Sequence, residues 1–397
     1  MMNNNLIPLF KVFMTQNAID LSTKVLGSGF IGQGQVVEEF ENKLKNFFSG
    51  LGIVTTNSAT SAEHLALYSL KKQKKNKQKT INGKTYKYDW PGIVDGDQVL
   101  TTALTCTATN WPILANNMLI KWVDVDPHTC NLCLDDLKNK LSIKTKIIMV
   151  VHWGGYPVDL DKLDQIKVDY YNKFGFMPEI IEDCAHAFGS EYKSKKIGTH
   201  GNICTFSFQA IKHLTSGDGG CIVLDQHDLE KRLKLLRWFG INRDENRKDF
   251  RCEENIEEFG FKMHMNDINA AIGVGNLNQV TEYVIPKHIE NASYYDFELK
   301  NIKGVTLLER KNDRVSSSWL YTMKVENQAG FMKKMNEEGI SVSRVHERND
   351  IHSCVSKFRE NLPNLDKVVR EMICIPVGWW VSKEQREYIV EKIKLGW

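Results

Sequence analysis

The sequence predicts an α/β fold, with a mostly parallel sheet in a large domain and a smaller α+β domain behind it. Short β-like runs alternate with helical patterns between residues 51 and 224. Strands separated by helices pair in parallel and are covered on both faces. From about residue 286 the pattern changes to a closer mixture of strands and helices. We therefore expect a large domain over residues 1–285, including an N-terminal segment, and a small domain over residues 286–397.

The first elements of the predicted sheet are a strand and the helix after it. The run LGIVTT (51–56) is typical of a buried strand, and TSAEHLALYSLKK (60–72) has small and apolar residues on one helical face. Further strands are predicted, in chain order, at QVLTT, LIKWVDV, KIIMVV, EIIED, ICTFSF and GCIVL. Ligands of such folds bind at the carboxyl ends of the strands, so functional residues are expected there.

The predicted small domain begins with strand-like runs and ends in a helix. In chain order its segments are VTLLER, WLYTMKVEN, a helical AGFMKKMNEEG, ISVSRV and the final helix SKEQREYIVEKIKL. This mixture is typical of an α+β domain.

A basic insert, KKQKKNKQKTINGKTYKYDW (71–90), separates the first predicted helix from the next strand. Its charge raises the alternative of a nucleic-acid patch, but basic and aromatic residues are not interleaved elsewhere in the chain. We therefore predict a solvated excursion between helix and strand.

Composition limits the kinds of partner that the protein can have. The 397 residues are 42% hydrophobic and 25% charged, with a formal net charge of +3, which is ordinary for a soluble globular protein. So small a charge does not indicate a nucleic-acid or membrane partner, and no run approaches the roughly 18 apolar residues of a membrane span. The start of the sequence lacks the pattern of a signal peptide. We expect a cytoplasmic protein that binds neither nucleic acid nor membrane.

The cysteines do not form an evident framework. Nine of them are scattered along the chain, which argues against disulfide pairing. Cys130 and Cys133 have the spacing of metal ligands, but no matching second pair accompanies them. We interpret them as thiols flanking a helix start and predict no metal site; half of a zinc site is the alternative.

The stretch TTNSATSAEHLAL (55–67) is the first of three that indicate chemistry. Small and hydroxyl residues lie between a strand and a helix, so free backbone N–H groups and the positive end of the helix face the sheet's edge. That arrangement is typical of a phosphate site. The alternative is that Ser58 or Thr60 simply caps the helix.

The second stretch is EIIEDCAHAFGS (179–190), where Asp183 ends a predicted buried strand. A buried carboxylate is costly unless it is paired, and a protonated heteroaromatic nitrogen would be a suitable partner. His186 follows about one turn later and could face the same group. The alternative is that Asp183 caps the next segment.

The third stretch, FSFQAIKHLTSGDGGCIVL (206–224), places Ser207 and Lys212 at the end of a strand and in the turn after it. The run SGDGG lets the backbone return into the next strand. A lysine in this setting is partly desolvated, which lowers its pKa and makes it a nucleophile toward an aldehyde. A phosphate cradle, an acid for a ring nitrogen and an imine-forming lysine together indicate a site for pyridoxal 5′-phosphate (PLP).

Together these stretches resemble the DegT/DnrJ/EryC1/StrS family of nucleotide-sugar aminotransferases, and the resemblance covers nearly the whole chain. It implies the type I PLP-dependent transferase fold, which is aspartate aminotransferase-like. Five more segments carry it: VLGSGFIGQGQVVEEFE (25–41), VDVDPHTCNL (123–132), MVVHWGGYPVDLDKL (149–163), LLRWFGINR (235–243) and FKMHMNDINAAIG (261–273).

The resemblance assigns expected roles to the residues of the three stretches. It implies that Lys212 binds the cofactor's aldehyde covalently and that Asp183 forms a salt bridge with the pyridine nitrogen. His186 is expected near the phenolic oxygen. The phosphate is expected to be held by Ala59, Thr60 and Ser207. Family members are homodimers with shared active sites, which implies the same for this protein.

Three positions depart from the family's usual pattern. Cys106, in ALTCTATNW, stands where an aromatic ring usually stacks on the cofactor, so stacking must come from elsewhere or be weaker. Lys262 replaces an asparagine that reaches the neighbouring subunit's phosphate, and keeps the contact as a point charge. Asp218 replaces the more usual glutamate in a GEGG run.

By resemblance, the predicted reaction is amination of a nucleotide-linked keto sugar by glutamate, with Lys212 as general base and acid. A 4-keto-6-deoxyhexose aminated at C4 is favoured, for assembly of a surface glycan, and a 3-keto sugar is the alternative. Contacts to the substrate are predicted from GSGFIGQG (27–34) and from RVHERNDIH (344–352), whose alternative is a salt-bridged surface loop. The residues singled out are Ser28, Gly29, Phe30, Arg243, His346, Arg348 and Asp350.

Other functions fit the sequence less well. PLP-dependent sugar dehydratases of this kind carry histidine where position 212 is lysine. A PLP-binding regulator would need a DNA-binding module, which nothing in the sequence resembles. An oxidoreductase would need a G-x-G-x-x-G turn that opens a βαβ unit, and the sequence has none there.

Overall fold

The computed structural model describes residues 6–243 and 255–397. The strands are, in chain order, β1 (Gly52–Thr56), β2 (Lys74–Ile81), β3 (Lys84–Trp90), β4 (Gln98–Thr102), β5 (Leu119–Val123), β6 (Thr145–Val151), β7 (Glu179–Asp183), β8 (Glu191–Tyr192), β9 (Lys195–Lys196), β10 (Ile203–Ser207), β11 (Gly220–Leu224), β12 (Val305–Leu307), β13 (Arg314–Val315), β14 (Tyr321–Val325) and β15 (Met372–Ile375). The α-helices are α1 (Gln16–Ser28), α2 (Gln35–Phe47), α3 (Ala59–Ser69), α4 (Thr107–Ala115), α5 (Leu134–Lys140), α6 (Leu160–Phe174), α7 (His227–Leu236), α8 (Asp267–Gln279), α9 (Ile285–Leu299), α10 (Gln328–Glu337), α11 (Pro363–Glu371) and α12 (Lys383–Lys394).

A seven-stranded sheet in the order β1-β11-β10-β7-β6-β4-β5 forms the centre of the large domain. Strand β11 runs antiparallel to both of its neighbours, and the remaining pairs are parallel. The predicted mostly parallel α/β sheet is therefore confirmed. Strands β7 and β10 are adjacent and parallel, so their carboxyl ends, Asp183 and Ser207, lie at the same edge.

The sheet is buried on both faces, as its apolar strand sequences require. Along β6, Ile147 and Met149 pack in one hydrophobic core, while Ile148 and Val150 pack in another on the opposite face. Side chains alternate between the faces of a strand, so two separate layers hold β6 in place. The carboxyl edge of the sheet is thereby a rigid platform for functional residues.

The basic insert is a β-hairpin, and the prediction of a solvated excursion is wrong. Strands β2 and β3 pair antiparallel around Asn82 and Gly83, which both have positive φ, as a two-residue hairpin turn prefers. On β3 the alternating side chains Tyr86, Tyr88 and Trp90 are buried. They contact the aromatic rings of helix α6 and the residues after it. One face of the hairpin therefore belongs to the core, and the lysines lie mainly on the other.

The predicted small domain contains the antiparallel sheet β12-β14-β15, which packs with α9, α10 and α12 around a third hydrophobic core. The run ISVSRV is not a strand; within it, Ile340 and Ser343 form isolated bridges to Ile7 and Cys374. Ile7 is buried in this third core, so the N-terminal segment packs on the C-terminal part of the chain. The boundary at residue 285 stays a prediction: a π-helical turn, Val280–Val284, joins α8 to α9 at that point.

Within the two described ranges, every helix is too short or too polar to cross a lipid bilayer.

Candidate active site

Asp183 is the last residue of β7, and its side chain is 4% exposed. Its Oδ2 accepts a hydrogen bond of 2.6 Å from Thr109 Oγ1, and its Oδ1 accepts one of 2.9 Å from the backbone N–H of Ala185. Two hydrogen bonds therefore fix the position of this buried carboxyl group at the carboxyl edge of the sheet.

Lys212 lies in the turn that connects β10 to β11, where its backbone N–H donates to Gln209 O at 2.9 Å. Its half-buried side chain places Nζ 3.5 Å from the centre of the Trp319 ring. Desolvation lowers the pKa of Lys212 to about 8, although the nearby Asp183 and Cys106 raise it. A neutral amine is therefore accessible near physiological pH, which is the state that attacks an aldehyde.

The predicted phosphate residues lie together at the start of α3. Ser207, at the end of β10, pairs with Gly220 on β11. A Cβ added to Gly220 would lie 2.5 Å from the backbone nitrogen of Ala59, so only glycine lets β11 approach the helix this closely. Ser58 caps the helix by accepting the N–H of Ser61 at 3.1 Å. The helix start, with the N–H groups of Ala59 and Thr60 in its first turn, is an anion-binding arrangement.

His186 is buried beside the lysine and contacts two other rings. Its imidazole lies 4.0 Å from the centre of the Trp319 ring and 5.5 Å from that of His346. Desolvation lowers the pKa of His186 well below its usual value, so the ring is neutral. Its Nδ1 accepts the N–H of Gly154 at 3.4 Å, which leaves the ring proton on Nε2. The neutral ring of His186 thus has a hydrogen-bond donor at Nε2, and its place near a phenolic oxygen stays a prediction.

Trp319 is a site residue that the sequence analysis missed. Its indole is 2% exposed, lies between Phe10 and His186, and contacts the amine of Lys212. The run SSSWLYTM in which it occurs has no motif, and only the tertiary fold brings it to Lys212, more than 100 residues earlier. Trp319 supplies the aromatic surface at the amine.

Cys106 is a half-buried residue at the start of α4, close enough to Lys212 to affect its titration. It therefore lies in the site, as predicted for the position where an aromatic ring usually stacks. The aromatic ring at the lysine amine is that of Trp319.

Glu63 is a second site residue that sequence reasoning missed. It lies on α3, one turn after the phosphate cradle, and is 1% exposed. Burial, together with the nearby charge of Asp183, raises the pKa of Glu63 well above its usual value. The available signal was a single acidic residue on the apolar face of a predicted helix.

These residues fit the predicted cofactor. PLP needs a reactive amine, an acid for its ring nitrogen and an anion cradle. The chain brings together the Lys212 amine, the Asp183 carboxylate and the close approach of Gly220 to Ala59 at one edge of the sheet. The roles of the individual residues stay predictions.

The residues predicted to contact the substrate fall in two groups. Ser28 and Gly29 end helix α1, and the side chain of Phe30 is 85% exposed beyond it. Arg243 Nη2 donates to Gln33 O at 3.2 Å, so Arg243 joins this segment. His346 lies elsewhere, in the wall of the site beside His186.

Arg348 does not have the geometry predicted for it. Its guanidinium makes a bidentate ion pair with Asp350, at 2.7 and 2.6 Å, and a further one with Asp366. A guanidinium that makes these ion pairs stabilises its loop and has few donors left for sugar hydroxyls. For Arg348 and Asp350, the structure favours the alternative of a salt-bridged loop.

Lys262 is exposed and forms an isolated bridge with Trp238. The next residue, Met263, accepts the backbone N–H of Asn57 at 2.8 Å, so this segment runs beside the start of α3. Its predicted reach to a neighbouring subunit stays a prediction.

Cys130 and Cys133 flank the start of a helix, as the sequence analysis interpreted them. Cys130 is buried and Cys133 caps α5. Burial raises the pKa of the Cys130 thiol to about 12, which disfavours the thiolate that zinc needs. Elsewhere, His152, Glu182 and Cys184 cluster in the core, where His152 Nε2 and Glu182 Oε2 pair at 2.8 Å.

The chain is similar to one protein family and to several known sugar aminotransferases. A model of the DegT/DnrJ/EryC1/StrS aminotransferase family matches residues 13–394. The crystal structure of AtS13 from Actinomadura melliaura is 43% identical, with a TM-score of 0.90, and covers 99% of this chain and 100% of that one. That of the sugar aminotransferase CalS13 from Micromonospora echinospora is 42% identical, with the same TM-score and coverage. UDP-4-amino-4,6-dideoxy-N-acetyl-beta-L-altrosamine transaminase from Campylobacter jejuni is 30% identical over 308 residues, which are 77% of this chain and 73% of that protein.

Proposed function

The chain belongs to the DegT/DnrJ/EryC1/StrS aminotransferase family, and from this premise we propose that it aminates a nucleotide-linked keto sugar with glutamate as amino donor. Membership in the family, with the likeness to AtS13 and CalS13, confirms the predicted fold class, the enzyme class and the cofactor, PLP. The proposed substrate is a 4-keto-6-deoxyhexose on a nucleotide, aminated at C4. The name of the Campylobacter jejuni relative, a 4-amino-4,6-dideoxy sugar on UDP, supports this choice.

One structural observation carries the proposal. The half-buried amine of Lys212, with its pKa lowered to about 8, lies near enough to the Asp183 carboxylate, at the carboxyl edge of the sheet, to respond to its charge. An ordinary surface lysine would be ionised and solvated. The desolvated amine beside a fixed carboxylate is the pairing that imine chemistry on a pyridine ring needs.

Asp183, the start of α3 and Lys212 have different roles in the proposed reaction. When bound, the cofactor supplies a ring that accepts an electron pair. Asp183 would hold a proton on the ring nitrogen, and the start of α3 would hold the phosphate. The neutral Lys212 amine would serve as the base that removes the proton from the donor's α-carbon and as the acid that returns it. The same amine reverses these transfers when the sugar ketone is aminated.

We also propose that the protein forms a homodimer whose active sites are shared between the two protomers. Phe30, which is 85% exposed, and the adjoining Ser28 and Gly29 would meet the nucleotide sugar at that interface. His346 would line the sugar's side of the site, because it stacks on His186. The exposed Lys262 would reach the phosphate bound by the other protomer.

The test offers the purified holoprotein glutamate and a panel of 3-keto and 4-keto nucleotide sugars, with product identification by mass spectrometry and NMR. We expect an amino sugar with nitrogen at C4, and none from the Lys212→Ala variant. Amination at C3 alone would move the proposal to the 3-keto alternative. A deoxy sugar that gains no nitrogen would contradict the transaminase and indicate a dehydratase.

A further inference from the structure

Two buried carboxyl groups lie in contact within the site. Glu63 is 1% exposed and Asp183 4%, and the Glu63 carboxyl lies close enough to that of Asp183 for its pKa to respond to it. The Oε2 atom of Glu63 is inaccessible to solvent and has no hydrogen-bond partner among the described residues. For two carboxyls buried side by side, desolvation and the neighbouring negative charge favour a state in which the pair holds one proton.

The hydrogen bonds decide which carboxyl holds that proton. Asp183 accepts the hydroxyl of Thr109 at Oδ2 and the N–H of Ala185 at Oδ1, so both of its oxygens already act as acceptors. The buried Oε2 atom of Glu63 has no donor among the described residues. The proton therefore lies on Glu63, which donates to Asp183 as a third partner.

We propose that Glu63 is a positioning residue, a neutral acid that holds Asp183 as a fixed carboxylate toward the cofactor's ring nitrogen. This inference rests on the role of Asp183 in the proposed function. Glu63 acts through Asp183 rather than on the substrate. The distinctive feature is that a carboxyl group keeps its proton so that its neighbour can remain charged.

The groups that face Glu63 from the surrounding elements agree with a neutral side chain. Among the described residues they are Asp183 at the end of β7, Cys106 at the start of α4 and Lys212 after β10. Desolvation and the first two groups raise the pKa of Glu63, whereas Lys212 lowers it.

The experiment compares wild type with Glu63→Gln and Glu63→Leu. Glutamine has the same shape, donates a hydrogen bond and never ionises, so it is the matched control for a neutral acid. Leucine fills the site but donates nothing. Three measurements are made: the infrared carbonyl band of a protonated carboxyl in the apoprotein, the pH titration of the holoprotein's visible absorption, and the retention of PLP on dialysis.

We expect the wild-type apoprotein to show a protonated carboxyl band that Glu63→Gln lacks, while Glu63→Gln keeps the titration midpoint and PLP retention of wild type. Glu63→Leu should bind PLP about ten-fold more weakly, because a hydrogen bond to a charged group is lost. Absence of the band, a clear fall of the midpoint in Glu63→Gln, or unchanged PLP retention in Glu63→Leu would each overturn the proposal. If Glu63→Leu fails to fold, the infrared band and the titration of Glu63→Gln still test whether Glu63 is a neutral acid. Unchanged PLP binding in Asp183→Asn would instead contradict the role of Asp183, whatever the infrared result.

Discussion

The amine of Lys212 lies 3.5 Å from the centre of the Trp319 ring, and the same indole stacks on His186 at 4.0 Å. One aromatic surface thus fixes both the lysine and the histidine of the site. It also keeps water from the amine, so that the pKa of Lys212 falls to about 8. The predictions below follow from this arrangement and from the hydrogen bonds of Asp183.

Lys212→Ala should still bind PLP, through the phosphate cradle and Asp183, but it should lose turnover. Removal of a general base typically costs 10²–10⁴-fold in rate, and here the covalent anchor is lost as well. The measurement is steady-state transamination with glutamate, beside the exposed Lys333→Ala variant as control. Near-normal turnover in Lys212→Ala would mean that another lysine carries the chemistry.

The lowered pKa of Lys212 predicts how fast the apoprotein takes up PLP at different pH. The amine is nucleophilic only when neutral, so the rate should rise with pH and level off above about 8 rather than near the usual 10.5. Stopped-flow absorbance measures the rate, and Nα-acetyl-lysine under the same conditions corrects for titration of the cofactor. A rate that keeps rising to pH 10 would show an ordinary, solvated lysine.

Thr109→Val should weaken PLP retention and turnover, because it removes the hydroxyl that donates to Asp183 Oδ2 at 2.6 Å. A hydrogen bond to a charged group contributes roughly 1.5–3 kcal/mol, so we expect about a ten-fold loss or more. Thr105→Val is the matched control, since Thr105 Oγ1 bonds to Thr109 Oγ1 at 2.8 Å and not to Asp183. Equal losses in the two variants would indicate a packing effect alone.

If the proposed homodimer places Lys262 at the phosphate bound by the other protomer, Lys262→Ala should lower PLP retention and leave assembly unchanged, because one positive charge is removed near that phosphate. Dialysis followed by absorbance measures retention, and gel filtration measures assembly. Lys262→Arg keeps the charge and should retain PLP like wild type. If Lys262→Ala retains PLP unchanged, this lysine does not belong to the site.

The sequence predicted most of the central sheet because its strands are short, apolar and bounded by polar turns. QVLTT, EIIED and GCIVL coincide with β4, β7 and β11. The hairpin β2–β3 was missed because lysines on its solvent face hid the alternation of Tyr86, Tyr88 and Trp90, which the fold buries.

The site residues that sequence reasoning found are those that follow strand ends or begin a helix. Asp183, Ser207 and Lys212 come from such positions, so local patterns were enough to single them out. Trp319 and Glu63 could not be found in this way, because their roles depend on contacts between elements far apart in the chain. Arg348 was assigned to the substrate because its loop is rich in polar groups, yet it pairs with Asp350 and Asp366.

The most direct test of the account is reduction of the native holoprotein with borohydride, followed by peptide mapping with mass spectrometry. The account predicts a stable pyridoxyl-phosphate adduct on Lys212, lost in Lys212→Ala and preserved in Glu63→Gln. Absence of an adduct at Lys212, or an adduct at a different lysine, would contradict it.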